Sequence, residues 1–140
     1  MGKPGIDFPG LGTGLAILRD GKLLLYRRLK APEAGFWSIV GGKVDHMEPA
    51  AEAAVREAEE ESGLSIGEID YLCTIEVLVE ADRQHWISMI YVTKDFSGEA
   101  SLVEPDKLSD FGWFGRSELP QPLSAFAQAA IAHLHQDDFH

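Results

Sequence analysis

Three glutamates stand at a spacing that stacks side chains on one helix face: Glu57, Glu60 and Glu61, at i, i+3 and i+4. At about 100° per residue they fall within roughly a 100° arc. Like charges so placed destabilise a helix by roughly a few tenths of a kcal/mol per pair. Arg56 lies on a neighbouring face, four residues from both Glu52 and Glu60, and one guanidinium cannot neutralise the whole group. A hard divalent cation with oxygen ligands, usually Mg²⁺, would turn the repulsion into coordination. Crowded carboxylates also raise one another's pKa, which equips one that is not neutralised by metal to act as a general base. The competing reading is a solvated acidic face with no chemistry, and the neighbouring residues must decide between the two.

Those glutamates belong to an acidic block. Of the 140 residues, 23 are Asp or Glu and 12 are Lys or Arg, for a net charge of −11. Eleven of the carboxylates, and only one cation (Arg56), lie between Glu48 and Asp82, so this block carries almost the whole net charge. Such a field argues against nucleic-acid polymers and anionic membranes as partners. It leaves room for a small anionic ligand, because a bound cation reverses the local sign. The lone Cys73 sits in an apolar run and reads as a small buried hydrophobe. The first residues lack the apolar stretch of a signal peptide, and no run approaches the roughly 18 residues of a membrane span, so a cytoplasmic protein is expected. The length and the absence of a linker predict a single domain over 1–140.

The elements that must position the glutamates follow from local patterns. Gly14–Leu18 and Leu23–Tyr26 are apolar runs around Asp20-Gly21, a type I′ hairpin signal. Leu29–Gly35 reads as a loop, and Phe36–Val40 as a strand stopped by Gly41-Gly42. Pro49–Ser62 reads as a helix, with Pro suited to its start, an Ala-rich interior and Gly63 at the C′ position. Tyr71–Val79 and Trp86–Thr93 form an antiparallel pair, Lys94–Asp110 is irregular and Phe111–Phe114 is a short strand. A last helix runs from about Leu123 to Leu134, with Leu123, Phe126, Ala127, Ala130, Ile131 and Leu134 on one apolar face. The order β-β-β-α-β-β-β-α predicts an α/β fold with helices on a mixed sheet.

The stretch Gly42-Lys-Val-Asp-His-Met-Glu48-Pro-Ala-Ala-Glu-Ala-Ala-Val-Arg56-Glu57-Ala58-Glu59-Glu60-Glu61-Ser62-Gly63-Leu64 resembles the Nudix box, G-x5-E-x7-R-E-U-x-E-E-x-G-U with U apolar, at every fixed position. Seven fixed residues at ordinary frequencies match by chance on the order of once in 10⁸ starts. The resemblance implies the Nudix fold, an α/β/α sandwich with a mixed sheet between helices. It also implies hydrolysis of a diphosphate linkage in a nucleoside diphosphate-X compound by attack of water on phosphorus. Under it, Glu57, Glu60 and Glu61 ligate Mg²⁺ (with Mn²⁺ as an alternative), assisted by a backbone carbonyl at Gly41 or Gly42. Glu48 and Arg56 support the loop and orient the helix carboxylates, Gly63 closes the box, and Glu57 is the first choice of general base.

Val40 departs from a common Pro-Gly-Gly run, which bears on loop stiffness and leaves both glycines in place. Some relatives take a further ligand or base about 40 residues downstream, where Glu99 and Glu104 are the candidates. The segment Glu104-Pro-Asp-Lys107, with Phe111-Gly-Trp-Phe114, resembles the MutT-like nucleoside triphosphatases. That branch implies release of pyrophosphate from a nucleoside triphosphate, a modified one included. ADP-ribose or nucleotide-sugar cleavage, and a non-catalytic nucleotide-sensing module, remain the alternatives. Arg27, Arg28, Lys30 and Lys43 are candidate phosphate contacts, and Phe36, Trp37, Trp86 and Tyr91 could stack on a base. Similar proteins are often homodimers; the residues themselves leave the oligomeric state open.

Overall fold

The computed structural model describes residues 2–140. Nine strands and two helices follow one another: β1 Gly10–Arg19, β2 Lys22–Arg28, β3 Trp37–Ser38, β4 Val40–Lys43, α1 Ala50–Ser62, β5 Ser65–Ile66, β6 Asp70–Val79, β7 Gln84–Thr93, β8 Phe96–Ser97, β9 Leu108–Phe114 and α2 Ala125–His133. Seven strands form a mixed sheet in the order β3-β2-β1-β7-β6, with β4 also paired to β1 and β9 to β2. β5 and β8 make a separate two-stranded ribbon.

β1 is the axis of the sheet. It runs parallel to β7 from Gly10↔Trp86 to Ile17↔Thr93, and on its other side it meets β4 first and β2 second. Both of its faces are buried, which is why it reads as a nearly unbroken apolar run. Ala16 and Leu18, with Leu23 and Leu25 of β2, pack towards Ala127 and Ala130 of α2. Leu15 and Ile17, with Leu24 and Tyr26, pack towards Ala58 of α1. The result is the α/β/α sandwich. The hairpin turn has positive φ at both Asp20 (53°) and Gly21 (78°), as a type I′ turn requires.

α1 starts one residue later than its proline suggests. Pro49, at φ −63°, caps it from outside and accepts the Ala53 N–H, while Gly63 ends it in the left-handed conformation, its N–H donating to Glu59. Buried Ala53, Ala54 and Ala58 let the helix lie close on the sheet.

Three expectations need correcting. The Phe36–Val40 strand is broken at Ile39, where the chain changes partner from β2 (Ser38 opposite Tyr26) to β1 (Val40 opposite Leu15). Gly41-Gly42 does not stop a strand; both residues lie within β4, opposite Gly14 and Thr13. A Cβ on Gly41 would overlap the Thr13 carbonyl, so glycine is what allows this close pairing. The region read as irregular contains β8 and the start of β9.

Beyond α2, Phe139 is completely buried beside the hairpin. The Arg116 guanidinium lies 4.5 Å from its ring, and His140 N–H donates to Gly21. Phe139→Ala is expected to destabilise the protein by about 3–5 kcal/mol, read as the shift of a urea midpoint at unchanged m.

Candidate active site

The loop between β4 and α1 is tied down by one side chain. Arg56 donates from Nε to Glu48 Oε2 (2.7 Å) and from Nη2 to Glu48 Oε1 (3.0 Å), a bidentate pair. The same guanidinium donates from Nη1 to Glu57 Oε1 (2.9 Å), with both Glu60 oxygens at 3.4 Å, and from Nη2 to the Lys43 carbonyl (3.3 Å). Glu48 in turn accepts from Asp45 N–H, and these bonds hold its carboxyl below the usual range. Arg56 therefore reaches Glu48, Glu57 and Glu60 together, and it does not pair with Glu52. Its charge is held upward by the Glu48 and Glu57 hydrogen bonds.

The three helix glutamates divide. Glu57 and Glu61, one turn apart, line a cleft of about 610 Å³ together with Gly41 and Gly42. Glu60 stands to the side, half-exposed, on an outer groove with Val55 and Glu59. Glu61 is 7% exposed and accepts the Gly41 N–H at 2.8 Å. Burial pushes its carboxyl up to about 8, helped by Glu57 and Glu104 and opposed by the Gly41 hydrogen bond and Arg28. Burial also raises Glu57, against the pull of Arg56. Among the described residues no three His, Cys, Asp or Glu side chains converge on one point. The repulsion has an evident outlet here: Glu57 and Glu60 turn to Arg56, and Glu61 turns to a backbone N–H.

The donors nonetheless fit a hard divalent ion. The side chains that can hold one are carboxylates, with backbone carbonyls of Gly41 and Gly42 beside them, so the ligand set is all oxygen. Gly42 leaves room for this: a Cβ there would overlap the Glu57 carboxyl, which rests directly on the strand backbone.

The remaining candidates separate clearly. Arg28, Lys43 and Lys107 line the cleft beside the acids, while Arg27 donates to the Gly35 carbonyl outside it. Glu104 sits 3.5 Å from Lys107 and contributes to the field at Glu61. Glu99 is solvent-exposed and its partner is Arg19, so it does not join the cleft. Trp37 packs edge-on against Phe114 within the α2-side core and does not face the cleft; Trp86 does. The sequence reading missed Gln84, Ser88 and Ile90, which alternate with their neighbours on β7 and share the cleft face with Trp86. That two-residue period was visible in the sequence, but which face would line a cleft was not. No described helix is long and apolar enough to cross a membrane.

The buried proton on Glu61 has a consequence for stability. The folded state binds it up to about pH 8, whereas an unfolded carboxyl releases it near its ordinary value of 4.5. Folding is thus favoured by this group at low pH, and the contribution fades as pH rises through about 8. In chelator, the unfolding free energy is expected to fall between about pH 6 and about pH 8, by an amount on the order of 3 kcal/mol at most, and Glu61→Gln should flatten that slope.

Comparison with known proteins agrees with this geometry. A family model described as "NUDIX domain" matches residues 9–134. The structure of a MutT NUDIX hydrolase from Burkholderia pseudomallei superposes with a TM-score of 0.88 at 42% identity, covering 92% of this chain and 100% of that one. An ADP-ribose pyrophosphatase of Methanocaldococcus jannaschii is 32% identical over 114 residues, covering 81% of this chain and 66% of the relative. An RNA pyrophosphohydrolase of Erythrobacter litoralis is 26% identical over 125 residues, covering 77% and 76% respectively.

Proposed function

Since the chain belongs to the NUDIX domain family and is a hydrolase acting on acid anhydrides, we propose that it converts a nucleoside triphosphate, modified ones included, to the monophosphate and pyrophosphate with Mg²⁺ as cofactor. The observation that carries this reading is the single cleft in which Glu57, Glu61 and the Gly41-Gly42 backbone face Arg28, Lys43 and Lys107. Acids alone would repel a polyphosphate, and bases alone would bind it without activating water.

Glu57, Glu60 and Glu61, with a glycine carbonyl, would hold the ion. When bound, the ion neutralises charge on the transferring phosphoryl group and acidifies a water. Glu57 takes the proton of the attacking water, a task suited to a carboxyl raised by burial yet still held by Arg56. The water oxygen bonds to phosphorus, the anhydride bond breaks, and pyrophosphate leaves. Arg28, Lys43 and Lys107 balance the phosphate charges and set their position. Arg56 and Glu48 act indirectly, by fixing the loop and the Glu57 carboxyl.

The substrates in the relatives' names, ADP-ribose and RNA, define the others to compare. A panel of nucleoside triphosphates, ADP-ribose, nucleotide sugars and 5′-triphosphate RNA with Mg²⁺ tests the reading. Pyrophosphate from a triphosphate supports it. Exclusive turnover of ADP-ribose or RNA replaces the substrate, and binding without turnover of any of them would make the chain a sensing module.

A further inference from the structure

The cleft continues onto the side of the sheet that faces α2. On β1, Thr13, Leu15 and Ile17 point towards α1, where the acids stand. Gly12 and Gly14 alternate with them and share a face with Ala16 and Leu18, which pack towards α2. β7 matches this face, with Ser88 in register with Gly12 and Ile90 with Gly14. All four residues line the cleft, together with Ile39 and Phe126. None of the six is charged, so this part of the cleft differs in chemistry from the part that holds Glu57, Glu61 and the three cations.

Ser88 stands out among the buried polar side chains. Thr13, Ser38, Glu61, Ser62, Thr93 and Ser124 each hydrogen-bond to protein. Ser88 is 3% exposed, and among the described residues its hydroxyl has no partner. No fully enclosed side-chain oxygen or nitrogen is left unpaired among them, so the Ser88 oxygen is the atom that stays open, and it opens on the cleft. Gly12 keeps it open: a Cβ there would sit 2.5 Å from Ser88 Oγ. Glycine inside a strand weakens it, and marks a place where something approaches the backbone closely.

These features define what can enter. The walls are Ile39, Ile90 and Phe126, the floor is bare backbone at Gly12 and Gly14, and the polar group is one hydroxyl. A phosphate would find no cation here. A sugar ring would bring several hydroxyls against side chains that cannot pair them. An aromatic ring with a polar edge fits, because its faces meet apolar walls and one edge meets the hydroxyl. We propose that Ser88 is a ligand contact, and that its hydroxyl hydrogen-bonds the edge of the nucleobase while the ring lies against Gly12 and Gly14. A hydroxyl both donates and accepts, so Ser88 anchors the ring without choosing between oxo and amino bases. The inference rests on the nucleotide reading of the cleft and names a residue that holds the substrate's uncharged end.

The test compares Ser88→Ala with wild type, both as the full chain with Mg²⁺. Calorimetry measures binding of GMP, AMP, CMP and UMP, with ribose 5-phosphate and pyrophosphate as probes that lack a base. Wild type is expected to bind at least one of the four monophosphates more tightly than ribose 5-phosphate. Ser88→Ala should weaken that monophosphate by about five- to tenfold, the value of one neutral hydrogen bond. Ribose 5-phosphate and pyrophosphate should stay within about twofold. With nucleoside triphosphates the loss should fall on KM rather than kcat. The urea midpoint should hold or rise, because the hydroxyl has no protein partner to lose; a structural role would lower it. Unaltered monophosphate binding in Ser88→Ala, equal weakening of ribose 5-phosphate, or a lowered midpoint each overturn the proposal. So does a wild type that binds no monophosphate more tightly than ribose 5-phosphate. Base-dependent binding that Ser88→Ala weakens, with no triphosphate turned over, would keep the contact and sink the hydrolytic reading. Pyrophosphate release with the same KM in both proteins would do the reverse.

Discussion

Glu57→Gln is expected to lower kcat by about 10³-fold and to leave KM within a few-fold. The substitution preserves shape: an amide oxygen still accepts from Arg56 Nη1, and the side chain still rests on Gly42. It removes the negative charge and the proton acceptor, the two properties the proposed reaction needs, and general-base loss alone is worth about 10²–10⁴. Loss of a metal ligand adds to this. Glu59→Gln is the matched control, since Glu59 lies two residues away on the same helix but accepts from Ile66 N–H on the outer side. It should stay within about twofold of wild type. Steady-state pyrophosphate release measures both, with circular dichroism to verify folding. Equal activity of Glu57→Gln and wild type would remove Glu57 from the chemistry and leave Glu104, across the cleft beside Lys107, as the next base to replace.

Excess chelator is expected to abolish turnover, by more than about 10³-fold, and Mg²⁺ or Mn²⁺ to restore it. Without a cation, the cleft sets the Glu57 carboxylate against an anionic substrate, and Arg28, Lys43 and Lys107 must balance that charge as well as the phosphates. A second readout is independent of activity. Ion binding needs Glu61 deprotonated, while burial holds its proton up to about pH 8. Binding therefore releases protons near neutrality, and the thermal stabilisation by Mg²⁺ grows as pH rises through that value. Glu61→Gln should lose both the proton release and the pH dependence of the shift. Full activity in chelator would refute metal dependence outright.

The box residues were legible from one line of sequence because their arrangement is mostly local. Glu57 and Glu61 share a face by helix geometry alone, and Pro49 and Gly63 mark the ends of that helix through their own backbone preferences. The hairpin at Asp20-Gly21 is local in the same sense. Glu60 shows the limit. Three carboxylates within one arc were expected to act as a set, but the helix sits on the sheet so that Glu57 and Glu61 turn to the cleft and Glu60 towards solvent and Arg56. Spacing defines relative angles on a helix; packing decides which angle faces inward.

The glycine pair, the aromatics and the downstream acids were harder for a related reason. Gly41-Gly42 reads as a stop because glycine weakens an isolated strand. Against β1 it is what permits close approach to Thr13 and to Glu57. Trp37 and Trp86 are equivalent by composition, and only the sheet sends one into the α2-side core and the other to the cleft. Glu99 and Glu104 are likewise interchangeable as loop acids until the chain brings Glu104 to Lys107 and Glu99 to Arg19.

By itself, then, the sequence determined the family resemblance, the helix with its carboxylates, the charge that calls for a cation and most of the strand order. These depend on neighbours within a few residues, where backbone propensity and side-chain spacing act directly. The tertiary structure alone decided which two glutamates share the cleft and which cations face them. It also decided which face of β7 lines the cleft. The cleft is assembled across the β1–β7 pairing, where Thr13 donates to the Met89 carbonyl across 76 residues of sequence, and such pairings arise only when both faces of the sheet are buried together.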